Sequence, residues 1–345
     1  MSDRTKSKPS AANQKEAKRS AATELRLRTA KALAVMAVMA VNALGFVHAR
    51  AMLTFSTDGA RTSQPEALDW ADKVQTLLMG VNIPRPTHQA TPKDFGLEFE
   101  SVFIDVDDEV RLGAWWIEHP EPKGMMVVFH GYSSSASQLL KEANGLYDLG
   151  YSLFMVDFRG SGASNQHTTS VGYHEAQDVL AALKVARQRY KGPGPILGLG
   201  FSMGAAALTR AASLQDLPID GLILVAIFDR MRTTVANRFE LMGLPSIGGA
   251  DLLMAWGSVI IGANAFNHNP VDYAAHIHIP TLMIHGGKDT RARPEEAQRV
   301  FKALASPQKD LIIVPDAPHS VGITDVIPSS RRPAGACFWC GRSAP

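Results

Sequence analysis

The stretch Gly200-Phe201-Ser202-Met203-Gly204 decides the fold of this chain. It has the G-x-S-x-G form in which a serine is held at a sharp turn between a strand and a helix. Glycines flank such a turn because its tight geometry leaves no room for side chains. In a chain with 28 glycines among 345 residues this pattern is weak by itself, so the neighbouring sequence has to support it.

The residues on either side of the motif predict a strand before it and a helix after it. Residues 195–201 are apolar and follow a Lys-Gly-Pro-Gly turn signal, which is typical of a buried strand. Residues 203–213 are mostly small and helix-favouring, which suits a helix packed closely on a sheet. The motif therefore stands where a strand, a sharp turn and a helix are expected.

Strands and helices alternate along the rest of the main domain. An antiparallel pair is expected first, at 99–106 and 110–118. The further strands are expected at 125–129, 151–156, 195–201, 221–226, 281–284 and 310–314, and the helices at 136–149, 173–190, 203–213 and 294–304. Repeated strand-helix-strand units predict an α/β fold, with a mostly parallel central sheet and helices on both faces.

One long apolar segment interrupts this alternation, between Phe228 and Pro280. Loops of this length are uncommon inside a compact domain unless they have a function. We therefore predict a helical cap insertion over a pocket, at about residues 229–275. An extra packing layer is the alternative.

The candidate functional residues follow predicted strands, because the carboxyl ends of parallel strands are where functional groups gather. Ser202, Asp289 and His319 occur in the chain order that this serine turn predicts for a nucleophile, an acid and a base. The backbone amides of Tyr132 and Met203 are candidates for an oxyanion hole.

Other polar residues have simpler interpretations. Asp229 follows another strand and is the alternative to Asp289 as the acid. His130 is expected to be structural, and Arg159 to brace a glycine-rich turn. His276 and His278 have no third ligand nearby, so they do not indicate a metal site. No cofactor or metal is expected.

Together these features resemble the α/β-hydrolase superfamily over roughly residues 95–319. The resemblance rests on His130-Gly131, on Asp-Phe-Arg-Gly-Ser-Gly at 157–162, on the motif at 200–204, and on Asp289 and His319. It is strongest to serine-aminopeptidase-like and monoacylglycerol-lipase-like hydrolases. It implies a serine hydrolase that cleaves carboxylic esters or thioesters, small or lipid-like, through an acyl-enzyme. A serine-aminopeptidase-like peptidase and a non-catalytic, membrane-anchored binding protein are the alternatives.

The N-terminal segment differs from the rest in charge and hydropathy. Residues 1–31 carry nine basic and three acidic side chains, whereas the remainder carries 26 basic and 30 acidic ones, so nucleic-acid binding by the main body is not predicted. Residues 32–47 are apolar except for Asn42. We predict a single-pass membrane anchor at 29–51, with the catalytic domain on the non-cytoplasmic side. A cleaved signal peptide of a secreted protein and a packing helix of a soluble one are the alternatives.

The remaining boundaries follow from composition. Residues 1–28 and 321–345 are predicted to be disordered, 52–94 to form a connector with one helix around 65–79, and 95–320 to form the hydrolase domain. Cys337 and Cys340 form a lone CxxC in the tail, too little for a zinc or redox site. The tail lacks the amphipathic helix that the resemblance implies after His319.

Overall fold

The computed structural model describes residues 11–323 and residue 326, and its centre is one eight-stranded sheet. The strands are β1 Glu100–Asp105, β2 Arg111–Ile117, β3 Gly124–Phe129, β4 Tyr151–Val156, β5 Ile196–Phe201, β6 Gly221–Val225, β7 Thr281–Gly286 and β8 Lys309–Val314. Their order across the sheet is β1-β2-β4-β3-β5-β6-β7-β8. Strand β2 is antiparallel to both its neighbours, and all pairs from β4 to β8 are parallel. The mostly parallel α/β sheet expected from the sequence is confirmed.

Helices cover both faces of this sheet. The α-helices of the described residues are α1 Ala11–Leu53, α2 Trp70–Met79, α3 Leu140–Asp148, α4 Glu175–Arg189, α5 Met203–Leu214, α6 Met231–Leu241, α7 Gly249–Ile261, α8 Pro270–Tyr273 and α9 Pro294–Ala303. Alternate residues of β3 enter different core clusters: Val127 and Phe129 pack with α4, α5 and α9, whereas Met126 and Val128 pack with α3. A strand that is buried on both faces has a continuous apolar sequence, as β3 has.

The segment between β6 and β7 folds into α6, α7 and α8, within the interval where a helical cap was predicted. In the predicted connector, the single helix expected at 65–79 is divided. A short 3-10 turn, Pro65–Ala67, comes first, and α2 starts afresh after Asp69. The Asp69 side chain caps α2 by accepting a hydrogen bond from the Asp72 amide at 2.8 Å.

The N-terminal helix α1 departs from the expectation of disorder before residue 29. Residues 11–28 are helical, because alanine, leucine and charged long-chain residues favour a helix and Glu24 pairs with Arg28 one turn later at 3.7 Å. Residues 19–41 are exposed, while Ala49 is buried and the ring of Phe46 lies 5.3 Å from that of Trp256 on α7. The carboxyl end of α1 is therefore part of the folded body.

Within α1, the 35 residues from Arg19 to Leu53 are long and apolar enough to cross a membrane. Only 6% of the most apolar window is buried, which sets it apart from the core helix of a soluble protein. A signal sequence near the N-terminus would meet the same criteria of length and hydropathy.

Candidate active site

The backbone at Ser202 has the strained conformation expected of a serine held at a sharp turn between a strand and a helix. The residue stands alone between the end of β5 and the start of α5, with φ 51° and ψ −107°. A Cβ atom added to Gly200 would lie 2.6 Å from the amide nitrogen of Ala205, and one added to Gly204 would lie 2.5 Å from the carbonyl oxygen of Phe129. These contacts leave no room for a side chain, which explains both glycines of the motif.

The structure brings Ser202, His319 and Asp289 together in a chain of hydrogen bonds. His319 Nε2 lies 3.1 Å from Ser202 Oγ, and His319 Nδ1 lies 2.7 Å from Asp289 Oδ2. The three residues follow β5, β8 and β7 at the carboxyl edge of the sheet. If Nδ1 donates to the carboxylate, Nε2 is left to accept the serine proton.

Backbone amides and a second histidine fix the Asp289 carboxylate. Its Oδ1 atom accepts hydrogen bonds from the amides of Arg291 at 2.8 Å and Ala292 at 3.0 Å. The Nε2 atom of His285 lies 2.8 Å from the carbonyl oxygen of Ala292 and 3.5 Å from Asp289 Oδ2. Burial lowers the pKa of His285, which favours the neutral imidazole. His285 therefore supports the turn around Asp289 without adding a cation beside His319.

The two amides predicted for an oxyanion hole both border the serine. Met203 follows Ser202 directly at the start of α5. Tyr132 follows Gly131, where an added Cβ atom would lie 3.6 Å from Ser202 Cβ. Among the described residues, neither of these two amides donates a hydrogen bond to another protein group. Both are therefore free to bind an oxygen of a substrate.

A cavity of about 360 Å³ adjoins Ser202. Its walls are mainly apolar and come from the end of α1, from the segment 61–83 and from the cap helices α6 and α7. The α1 wall consists of Val41, Leu44, Gly45, His48, Ala49, Met52 and Leu53. The sequence predicted a pocket under the cap, but it did not predict that the N-terminal helix would form one of its walls.

The charged side chains that line this cavity are basic. They are Arg61, Arg238 and Arg291, and among the residues that the structure describes no aspartate or glutamate lines it. Sequence reasoning missed all three arginines. The sequence does carry one signal for Arg238. No acidic residue lies three or four positions away from it, so no ion pair along the helix could neutralise its charge.

Comparison with known proteins points to the same fold. Residues 120–247 match the family model described as serine aminopeptidase, S33. The esterase Pf2001 of Pyrococcus furiosus superposes with a TM-score of 0.58 and 28% sequence identity, covering 69% of this chain and 90% of that chain. The chain has the α/β-hydrolase fold and resembles hydrolases of that superfamily. The family model and the esterase neighbour support a hydrolase.

Two curated relatives extend the comparison of this α/β-hydrolase. The uncharacterized protein YfhR of Escherichia coli is 26% identical over 234 residues, which is 66% of this chain and 75% of YfhR. An uncharacterized membrane protein of Saccharomyces cerevisiae is 21% identical over 235 residues, which is 68% of this chain and 78% of that protein.

His130 and Arg159 make structural contacts in this α/β-hydrolase. His130 is fully buried, its Nε2 atom accepts from the Phe158 amide at 3.0 Å, and its Nδ1 atom lies 2.8 Å from the carbonyl oxygen of Gly131. Burial lowers the pKa of His130. The Nε atom of Arg159 lies 3.1 Å from the buried Asp178 carboxylate.

Asp229, the alternative acid, belongs to another buried cluster. Its Oδ2 atom accepts a hydrogen bond from Arg299 Nε at 2.7 Å. The neighbouring Glu296 accepts one from Asn237 Nδ2 at 2.7 Å. Within the described part of the chain His319 bonds to Asp289 and not to Asp229.

The chain after His319 is packed for the few residues that the structure describes. Val321 and Ile323 are buried in the core cluster beside α3, contrary to the expectation of disorder from residue 321, because both apolar side chains reach that core. The rest of the predicted tail, with Cys337 and Cys340, lies outside the described residues. Among the described residues no cluster of three or more His, Cys, Asp or Glu could hold a metal ion.

Proposed function

We propose that this protein is a serine hydrolase that cleaves carboxylic esters or thioesters of apolar acyl groups through an acyl-enzyme. The observation that carries the proposal is the hydrogen-bonded chain from Ser202 through His319 to Asp289, beside a mainly apolar cavity. The esterase character of the Pyrococcus furiosus relative supports it.

In this mechanism Ser202 Oγ attacks the acyl carbon while His319 Nε2 takes the hydroxyl proton, and Asp289 stabilises the imidazolium. The amides of Tyr132 and Met203 bind the oxyanion that forms. The bond to the alcohol or thiol then breaks, and the leaving group takes the proton from His319. Water, deprotonated by His319, attacks the acyl-enzyme in the same way and releases the carboxylic acid with regeneration of Ser202.

The α1 wall supports a long aliphatic acyl group. It runs along the cavity from Val41 to Met52, a distance of about 16 Å at about 1.5 Å per helical residue. An acyl chain laid along this wall exchanges water for apolar side chains, which favours binding by about 0.8 kcal/mol per buried methylene.

Peptide cleavage is the weaker alternative. An aminopeptidase has to hold the cationic amino terminus of its substrate, and a carboxylate is the group that pairs with a buried cation. The charged groups of the cavity are arginines instead, and no carboxylate among the described residues lines it. These charges repel a cationic amine, so they favour an ester over a peptide.

We further propose that α1 anchors the protein in a membrane, with its N-terminus on the cytoplasmic side and the hydrolase body on the other. The basic residues precede the apolar stretch, which favours this orientation. Helix α2 exposes Trp70, Val74 and Leu78 at intervals of one helical turn. It contacts α1 through His48 Nε2, which lies 2.9 Å from the carbonyl oxygen of Leu77. This exposed apolar face beside α1 suits the surface of a bilayer.

The decisive experiment is active-site labelling of the full-length protein in detergent with a fluorophosphonate probe. We expect labelling in the wild type and none in Ser202→Ala, with a strong reduction in His319→Ala. Ser213→Ala on the same helix α5 is the matched control and should label normally. Failure of the folded wild type to label would favour the non-catalytic binding protein, and equal labelling of Ser202→Ala would place the reactive nucleophile elsewhere.

A further inference from the structure

Arg238 on α6 is a cation in the cavity wall that no group of the described residues pairs. It lines the same cavity as Ser202, and in the described part of the chain its guanidinium has no hydrogen bond and no ion pair. The other cavity arginines are engaged. Arg61 donates to the carbonyl oxygen of Ser133 at 2.9 Å, and Arg291 pairs with Glu66 at 2.9 Å.

The surroundings of Arg238 disfavour its charge. Burial lowers the pKa of the guanidinium and the nearby Arg291 lowers it further; the Glu66 carboxylate, which is ion-paired to Arg291, opposes this without reversing the direction, and an arginine stays protonated. Its Cζ atom lies 5.8 Å from the ring centroid of Tyr132. Burial raises the pKa of Tyr132 to about 12, and its hydroxyl donates to the carbonyl oxygen of Met52 at 2.6 Å, so this neutral group does not balance the charge. A partly buried cation without a partner favours the binding of an anion.

Arg238 and the candidate nucleophile Ser202 line the same cavity. Tyr132 connects the two, because its ring faces Arg238 and its backbone follows Gly131, which packs against Ser202. The acyl chain of an ester is uncharged and suits the apolar α1 wall. An anionic group near Arg238 therefore belongs to the alcohol part of the substrate.

We propose that Arg238 binds a phosphate group on the alcohol part of the substrate, so that the substrate class is an acyl ester of a phosphorylated alcohol, as in a lysophospholipid. The proposal rests on ester hydrolysis at Ser202. A guanidinium can pair with two phosphate oxygens at once. Arg61 in the same cavity bonds to an uncharged carbonyl oxygen and so adds positive charge, which favours a phosphate over a singly charged carboxylate.

The test compares two substrates with the same dodecanoyl chain, an acylglycerol phosphate and the neutral acylglycerol, with the full-length protein in a neutral detergent. We expect the wild type to prefer the charged substrate in kcat/KM. Arg238→Gln should lower the ratio of charged to neutral kcat/KM by roughly 10-fold to 100-fold, and Arg238→Lys should retain part of it. Arg232→Gln is the matched control, since Arg232 lies on α6 but pairs with Asp251 at 2.6 Å outside the cavity.

A second arm separates a headgroup site from a site for free anions. Inorganic phosphate is added during hydrolysis of the neutral ester, and thermal unfolding shows that each variant is folded. Inhibition by phosphate without a preference for the charged ester would overturn the substrate assignment in favour of a free-anion site. A ratio that Arg238→Gln leaves unchanged would overturn the role of Arg238, while hydrolysis of neutral esters would still uphold the proposed function. Loss of all ester hydrolysis in the wild type would instead reject the proposed function itself.

Discussion

At the scale of single residues, hydrogen bonds distinguish two carboxylates that both follow strands of the sheet. Asp289 meets His319 and is held by two backbone amides, which leaves its Oδ2 atom directed at the imidazole. Asp229 meets Arg299 instead, and its Oδ1 atom has no hydrogen bond to any residue that the structure describes. Both are buried, so burial alone does not identify the acid.

We expect Asp289→Asn to lower kcat for a soluble ester by about 10³-fold to 10⁴-fold, because the imidazolium loses its counter-charge and the imidazole its orientation. Asp229→Asn should keep kcat within about tenfold and lower the melting temperature, because Arg299 loses its partner. Steady-state kinetics and thermal unfolding of both variants measure this. The reverse pattern would make Asp229 the partner of His319.

Glu296 gives the molecule a pH-dependent stability. Burial raises the pKa of this carboxyl from 4.5 to about 7, even though it accepts hydrogen bonds from the Arg293 amide and from Asn237. The folded state therefore binds more protons than the unfolded state between these two pKa values. The stabilising contribution is complete below pH 4.5 and is lost as the pH rises through about 7.

Glu296→Gln should remove this dependence. We expect the free energy of unfolding of the wild type to fall by about 1 to 3 kcal/mol more than that of Glu296→Gln between about pH 5 and pH 8. Chemical denaturation at a series of pH values measures the difference. The exposed neighbour Glu295→Gln is the control and should follow the wild type. If the free energy of unfolding changed with pH in the same way in the wild type and in Glu296→Gln, the elevated pKa of Glu296 would be contradicted.

At the scale of elements, α1 combines two environments in one helix. Residues 19–41 are exposed, whereas the end of the helix packs on α7 and lines the cavity. The contact is close, since a Cβ atom at Gly45 would lie 3.0 Å from the side chain of Leu252. A helix that continues without a break from an exposed apolar stretch into a cavity wall connects the proposed membrane to the proposed acyl site.

Enlarging a side chain on this wall should shorten the preferred acyl chain. Leu44→Trp fills part of the cavity, so we expect roughly a tenfold or greater loss of kcat/KM for long-chain esters with much less effect on short ones. A series of p-nitrophenyl esters of graded length measures the profile. Leu33→Trp, on the exposed part of α1, is the control. An unchanged chain-length optimum in Leu44→Trp would place the acyl chain elsewhere.

At the scale of the whole molecule, the proposed anchor and the hydrolase body are packed into one unit. Val35 and Val38 lie on the exposed apolar part of α1, away from that packing. Full-length protein should remain in membranes after carbonate extraction. The double variant Val35→Asp, Val38→Asp should be released, because a carboxylate near the centre of a span costs about 2.5 to 3.5 kcal/mol. Thr23→Asp, outside the most apolar part, is the control, and release of the wild type would reject the anchor.

Protease treatment of sealed vesicles of known orientation tests the side on which the body lies. We expect cleavage of the body only from the non-cytoplasmic face. Cleavage from the cytoplasmic face would reverse the proposed topology and leave the chemistry of Ser202 untouched.

The sequence alone predicted the sheet, because apolar runs of strand length and the turns between them are local signals. It also predicted that Ser202, Asp289 and His319 would lie together, because the carboxyl ends of parallel strands share one edge. Cap helices α6 and α7 fell in the predicted interval for the same local reason. Charged and small residues at 11–28 were misread as disordered, although their helix propensity is high.

Only the tertiary structure decided which carboxylate meets His319 and what encloses the cavity. Both outcomes depend on contacts between segments far apart in the chain, which no local pattern encodes. Asp289 and Asp229 are equivalent as strand-end carboxylates until a partner is placed beside each. The end of α1 becomes a cavity wall, and Arg238 a cation without a partner in the described part of the chain, only when the cap and the N-terminal helix pack over Ser202.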